Sequence, residues 1–241
     1  MTGPALPSTI GLIAGNGRFP LLFAKTARDH GMRVIVAAVR GDTSFLIHAL
    51  AHEVHWFSVS ELNKTFGYFR RAGARHIIMA GQIHPRCLFD KALEADQDFQ
   101  AIFTALKDRR CDTIFSSIAE TLRKEGLELL DSTLLLKDYL AAQGTLTRRA
   151  PREEELQDIS FGTTIAKQMG ALDIGQTVVV KTSKPKQDSR FDVPVIGPKT
   201  IRVMKKCQAC CLAIEAGKTL VIDPEKTIAQ ANACGITIVA G

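Results

Sequence analysis

The sequence contains no apolar run approaching the roughly 18 residues that a membrane-spanning helix requires, so nothing in it reads as a transmembrane segment. Met1 to Ser8 lack the basic start and apolar centre of a secretory signal, and the expected setting is the cytoplasm. Aromatic residues are scarce, at 6% with a single Trp, and no nucleic-acid-binding motif occurs. Nucleic acid is therefore not the expected partner, because its recognition leans on aromatic platforms or on recognisable modules. Six cysteines are too dispersed to form a disulfide framework and suit a reducing compartment. Cys207, Cys210 and Cys211 form a C-x-x-C-C cluster, but no second pair at zinc-site spacing follows. Packing is the expected role there.

What is present fits a globular protein. A chain of 241 residues with 46% hydrophobic and 23% charged content can bury one large core or two smaller ones. The formal charge of +6 points to an anionic partner. That charge is concentrated: between Lys181 and Lys206 eight Lys or Arg residues stand against two acids, Asp188 and Asp192. A solvated basic face accounts for such a stretch, and so does a surface for phosphate groups or an anionic membrane.

Apolar runs at Thr9–Ala14, Arg33–Val39 and His76–Ala80 predict buried strands, two of them ending at a glycine, Gly15 and Gly81. Pro20 suits the first turn of a helix that stops at Gly31, and Ser60 is placed to cap a second one running to Ala72. Strands alternating with helices at this spacing imply parallel βαβ units. Further along, the sequence predicts a helix over Asp158–Met169, a strand over Thr177–Lys181 and a short helix after Pro198. Leu212–Glu215 and Thr219–Ile222 flank Ala216-Gly217-Lys218 in the manner of a hairpin, before a last helix from Pro224 and a strand over Ile236–Ala240. The expected architecture is α/β: a Rossmann-like parallel-sheet domain over 1–144, a polar connection over 145–157, and a distinct α/β domain over 158–241, with a cleft between the two.

Three segments can carry chemistry. Gly15-Asn16-Gly17, between strand and helix, is a turn of the kind whose backbone amides approach phosphate oxygens at a helix N-terminus. It is not the dinucleotide fingerprint, and Arg40 rather than an acid follows the second strand. Gly81-Gln82-Ile83-His84-Pro85-Arg86 sits at the carboxyl end of a strand, where open α/β sheets bind ligands, with Arg86 able to reach a phosphate or uracil oxygen. The richest is Lys181 to Pro198, in which Lys184, Lys186 and Arg190 surround Asp188 and Asp192. Pyrophosphate hydrolysis needs cations against the phosphoryl oxygens and a carboxylate that holds a divalent ion or orients water. His48, His52 and His55 share the spacing of metal ligands on a helix, but their apolar neighbours and the strand-like Val54–Phe57 argue for packing.

Taken together and in order, GLIAGNGRFP, AGQIHP, LDIGQTVVV (Leu172 to Val180), SKPKQDSRFDVPVIGP and AIEAGKTLVID (Ala213 to Asp223) resemble the LpxI family over nearly the whole chain. The resemblance implies hydrolysis of UDP-2,3-diacylglucosamine to lipid X and UMP in lipid A synthesis, with a divalent metal, usually Mg²⁺. It implies Gly15, Asn16 and Gly17 in a nucleotide-binding turn, and Asp192 as the critical carboxylate. Lys184, Gln187 and Arg190 would then neighbour the diphosphate, and Asp173 and Gln176 would shape the site; the charges of the loop itself, rather than the resemblance, make Asp188 a second candidate metal ligand beside Asp192. The implied partner is a UDP-linked lipid, met at the inner membrane through that substrate or a basic patch; a homodimer is left open. One departure stands out. Family members carry a few tens of residues between the DIGQ strand and SKPKQD, whereas here Val180-Lys181 runs straight into Thr182-Ser183-Lys184. The alternative to an enzyme is therefore a nucleotide-sugar or lipid-phosphate binding protein of the same descent that has lost turnover.

Overall fold

The computed structural model describes residues 6–84, 111–171, 180–181, 189–190 and 192–241. It divides into two compact units, Met1–Leu135 and Leu136–Gly241.

In the first unit, β1 (Thr9–Ala14), α1 (Phe19–Asp29), β2 (Arg33–Val39), β3 (Glu53–Phe57), α2 (Leu62–Arg71), β4 (His76–Ala80), α3 (Cys111–Lys124) and β5 (Glu128–Leu129) alternate, with a short 3₁₀ helix over Phe45–Ala49 between β2 and β3. The strands form one parallel sheet in the order β3-β2-β1-β4-β5. The predicted boundaries of β1, β2 and β4 coincide with the observed ones. These strands are continuous apolar runs because both faces of a parallel sheet are covered: Ile10, Leu12, Val34, Ile35, Val36, Ile77 and Ile78 are wholly buried, as are Phe23 of α1 and Phe66 and Phe69 of α2. Ser60 does not cap α2. The residue before the helix is Glu61, whose carboxylate turns back to accept the Ser58 amide at 2.9 Å.

The second unit contains β6 (Gly144–Thr145), α4 (Glu153–Ala171), β7 (Val180–Lys181), β8 (Val195–Ile196), α5 (Pro198–Lys206), β9 (Cys211–Ile214), β10 (Leu220–Val221), α6 (Pro224–Ala233) and β11 (Thr237–Ala240). One sheet has the order β6-β11-β9-β7, with β6 antiparallel to the rest, and β8 and β10 form a separate parallel pair. Its core gathers Ile196, Ile201, Met204, Leu212, Ile214, Val221, Ile236 and Ile238.

Two sequence expectations are revised here, and a third is met in the part that is described. The stretch 145–157, expected as a connection, lies within the second unit: Thr145 pairs with Val239, Thr147 is buried, and α4 starts at Glu153 rather than Asp158. Pro151 and the acids Glu153, Glu154 and Glu155 are a helix start, since acids in a first turn meet the positive end of the helix dipole. The segments flanking Gly217 are not a hairpin. β9 pairs in parallel with β11 and β7, while β10 pairs in parallel with β8, so the tight turn joins strands of two different sheets. Of the strand expected over Thr177–Lys181, Val180–Lys181 is observed, and 177–179 lie outside the described residues.

Candidate functional site

In the first sheet β1 is flanked by β2 and β4. The chain moves outward from β1 to β2 and β3, then returns to the other side of β1 for β4 and β5. The β1/β4 boundary is therefore a topological switch point, where the loops leaving neighbouring strands turn apart and open α/β sheets take ligands at their carboxyl ends. Both glycine segments singled out in the sequence stand there: Gly15–Gly17 after β1 and Gly81–His84 after β4.

The two loops are laced together. The Gly15 amide donates to the Ala80 carbonyl at 2.9 Å, and Asn16 and Gln82 exchange backbone hydrogen bonds at 2.7 and 3.1 Å. A Cβ on Gly15 would lie 2.7 Å from the Gln82 carbonyl oxygen. Close packing thus explains Gly15 without any ligand, and the amides of Gly15 and Asn16 are committed to the β4 loop. Gly17 differs. Its φ is +100°, and a Cβ there would meet nothing within 4 Å, so the turn opens towards free space at this residue. Beyond it, α1 begins at Phe19 with Pro20 in its first turn and with no side chain capping from Arg18. An anion at this edge would be held by amides from Gly17 onward into α1, not by those of Gly15 and Asn16.

Side chains that sequence reasoning passed over fix the neighbouring loops. The Thr43 hydroxyl donates to the Ala14 carbonyl and accepts the Val39 amide, tying the end of β1 to the end of β2. The Asp42 carboxylate accepts the His84 amide at 3.0 Å, which ties the β2 loop to the β4 loop. Past β5, the buried Ser132 donates to the Met79 carbonyl at 2.7 Å, and Asp131 accepts from the Thr133 amide and hydroxyl. The shared signal is an Asp followed by a hydroxyl residue shortly after a strand end, at Asp42-Thr43 and Asp131-Ser132-Thr133. Such pairs are good loop fixers because short polar side chains reach nearby backbone.

In the second unit Asp192 is half-buried just ahead of β8, two residues before the buried Pro194, and Arg190 is exposed beside it. The Leu220 amide donates to the Pro194 carbonyl at 2.8 Å, which anchors the segment carrying Asp192 against β10. Arg86, Asp173, Gln176, Lys184, Gln187 and Asp188 lie outside the described residues. The structure thus brings Gly15, Asn16, Gly17, Gly81 and Gln82 together at one edge of the first unit, and describes Arg190 and Asp192 separately in the second. Among the described residues no group of three or more His, Cys, Asp or Glu is placed to hold a metal. Asp192 by itself offers the carboxylate oxygens that a hard divalent cation prefers.

The three histidines do not share a helix face. His48 lies in the 3₁₀ helix and accepts the Trp56 indole N–H at 3.2 Å, His52 accepts the Val34 amide at 3.0 Å, and His55 is in β3. The cysteine cluster borders an ion pair, and of its three members Cys211 is buried while Cys207 and Cys210 are exposed, so the packing role expected for the cluster holds for Cys211 alone. Arg149 donates to both oxygens of Glu155 at 2.7 and 2.9 Å and to the Cys210 carbonyl at 2.9 Å, while the Arg152 amide donates to Glu155 at 2.8 Å. The Arg149 guanidinium holds the Glu155 carboxyl far below the usual carboxylate range, outweighing the opposing effect of burial. Burial, with Glu155 nearby, pushes the Cys211 thiol up to about 11.

Comparison with known proteins agrees with this division. The family model described as the LpxI N-terminal domain matches residues 9–139, and that of the LpxI C-terminal domain matches 142–183 and 178–239. The chain is similar to the UDP-2,3-diacylglucosamine pyrophosphatase LpxI of Caulobacter vibrioides, with 24% identity over 273 aligned residues that cover 95% of this chain and 96% of the relative. That alignment is longer than the chain's 241 residues, so the relative carries a stretch without a counterpart here. The two C-terminal matches meet at 178–183, the same place where Val180-Lys181 runs into Thr182.

Proposed function

This chain belongs to the LpxI family, and from that premise we propose that it hydrolyses the pyrophosphate bond of UDP-2,3-diacylglucosamine, releasing UMP and 2,3-diacylglucosamine 1-phosphate in lipid A biosynthesis. Two observations carry the reading: in the first unit a glycine turn opens at Gly17 beside a sheet switch point, and the second unit holds an acid and a cation, Asp192 and Arg190, on one short segment. Nucleotide recognition is assigned to the first unit, through amides from Gly17 into α1 and the Gly81–Gln82 loop that supports them. The chemistry is assigned to the segment carrying Asp192.

In that chemistry a water oxygen bonds to one phosphorus as the bridging P–O bond breaks, and the bridging oxygen leaves on the other phosphate. Arg190 and the lysines of the same loop offset charge on the phosphoryl oxygens, and the Asp192 carboxylate orients the water, whose proton passes to solvent. Asp192, with Asp188 as a further ligand, would hold a divalent cation such as Mg²⁺, which would supply Lewis acidity there. Purified protein with UDP-2,3-diacylglucosamine and Mg²⁺ should release UMP, and Asp192→Asn should lower the rate at least about a hundredfold. Silence of the wild type across a full screen of divalent metals would remove the reading.

The stretch of the relative that has no counterpart in this chain favours a second reading, a binding protein of the same family without turnover. It predicts thermal stabilisation by the nucleotide sugar with no product formed.

A further inference from the structure

Among the described residues, the two most exposed large apolar side chains of the first unit are neighbours: Phe45 is 78% and Leu46 67% exposed, on the 3₁₀ helix that follows β2. They are not scattered surface residues of the ordinary kind. Phe45 packs on Trp56 of β3 with ring centroids 4.7 Å apart, and His48 joins them at 5.9 Å from Trp56 while accepting its indole N–H. Ile47, next in the chain after the two exposed residues, is wholly buried and pins the helix to the core. The result is a rigid apolar knob backed by an indole.

Its surroundings are cationic. Arg28 of α1 donates to the Ala49 carbonyl at 2.6 Å, fixing a guanidinium at the end of the same 3₁₀ helix. Arg40 is exposed where β2 ends, its amide bonded to the Phe57 carbonyl next to Trp56. Of the nearby acids, Asp29 pairs with Lys25 at 2.8 Å, Glu61, which also faces Arg40, with Lys64 at 2.9 Å, and Glu53 with Arg33, while Asp42 keeps its charge and accepts the His84 amide. The patch also adjoins the ligand edge, because Thr43, two residues before Phe45, is bonded to the end of β1.

We propose that Phe45, Leu46 and Trp56 form a docking surface for an anionic phospholipid bilayer. The proposal rests on the functional reading above, in which the substrate is a two-chain lipid resident in such a bilayer. A Trp-backed apolar tip flanked by Arg28 and Arg40 matches the interfacial zone, where indoles and apolar side chains enter the headgroup layer and cations meet anionic lipids. A second copy of this chain is a poorer occupant, since a stable protein interface buries about 1,200–2,000 Å² and three side chains supply a small part of that.

The chain's single Trp lies in the patch and reports on it directly. Full-length protein is titrated with vesicles of phosphatidylglycerol and phosphatidylethanolamine, and separately with phosphatidylcholine vesicles, reading Trp56 emission and co-sedimentation. Anionic vesicles should shift the emission to the blue and pellet the protein, neutral ones far less. The double variant Phe45→Ser with Leu46→Ser should bind at least about tenfold more weakly, with an unchanged circular dichroism spectrum and unchanged release of UMP from detergent-dispersed substrate. No blue shift, equal binding by the double variant, or a shift that grows with protein concentration without vesicles would each overturn the proposal. So would loss of detergent-phase turnover in the variant, which would put acyl chains of the substrate on the patch. A wild type that responds to vesicles but never releases UMP sinks the enzymatic reading alone. One that releases UMP without any vesicle response sinks the docking surface alone.

Discussion

Asn16 and Gln82 exchange both of their backbone hydrogen bonds, the Asn16 amide to the Gln82 carbonyl at 2.7 Å and the return bond at 3.1 Å. This two-residue ladder clamps the loops after β1 and β4 across the switch point. It brings Gly81 so near that a Cβ on it would lie 2.6 Å from the Asn16 carbonyl oxygen, at a φ of +90°. Gly81→Ala should therefore cost about 2 kcal/mol of stability and loosen the clamp, weakening UMP binding with it. Gly17→Ala meets no atom within 4 Å, and should lose about 1 kcal/mol to its left-handed φ of +100°. Its main effect should be on affinity, because its methyl group would project where the turn opens. Urea unfolding and calorimetric titration with UMP separate the two effects.

The Arg149–Glu155 pair sets an acid limit on the second unit. Glu155 is 4% exposed and its carboxyl is held far below the ordinary range, chiefly by the Arg149 hydrogen bonds. A carboxyl depressed in the folded state adds stability that is complete above its unfolded pKa of about 4.3, and that is lost as pH falls towards the folded value. Glu155→Gln should cost about 2 kcal/mol at pH 7, less than a fully buried pair because the Arg149 side chain is 36% exposed. The gap between wild type and variant should narrow below about pH 4, because the unfolded wild type then takes up a proton that the folded Glu155 carboxylate still excludes. Urea midpoints across that range read it out.

Thiol reactivity should follow burial within the C-x-x-C-C cluster. Cys207 and Cys210 are exposed, whereas Cys211 is buried with its thiol pushed up to about 11. At pH 8 iodoacetamide should label Cys207 and Cys210 first, with Cys211 at least about tenfold slower, because the thiolate is the reacting form. Site-resolved peptide mass spectrometry decides the order.

Chelation separates binding from chemistry. EDTA should abolish UMP release while UMP itself still stabilises the protein thermally, since nucleotide contacts are assigned to backbone amides of the first unit. Readdition of Mg²⁺ should restore turnover in the wild type but not in Asp192→Asn.

The parts of the fold that can be read from the chain are those in which burial is two-sided. β1, β2 and β4 are unbroken apolar runs that stop at their loops, so their limits and the glycines beyond them are visible in the residues alone. The second unit is harder because β8 and β10 are only two residues each and pair with strands distant in sequence. A glycine turn between two short apolar runs looks the same whether it closes a hairpin or passes from one sheet to another. Glu155 illustrates another limit: within Arg152-Glu153-Glu154-Glu155 it reads as one of several solvated charges, and only tertiary packing shows that this one is buried on Arg149. In the site, Gly15 and Gly81 were legible from backbone chemistry. Asp42 and Thr43 were not, since their partners His84, Ala14 and Val39 meet them only once the sheet has formed.

The location of the nucleotide is the claim on which the account turns, and amide chemical shifts of isotopically labelled protein titrated with UMP test it most directly. The account predicts that the largest shifts fall on Gly17, Arg18, Phe19 and Gly81, with Gly15 and Asn16 moving less because their amides are held by the β4 loop. Saturable shifts that leave residues 15–19 and 81–84 unmoved would contradict it.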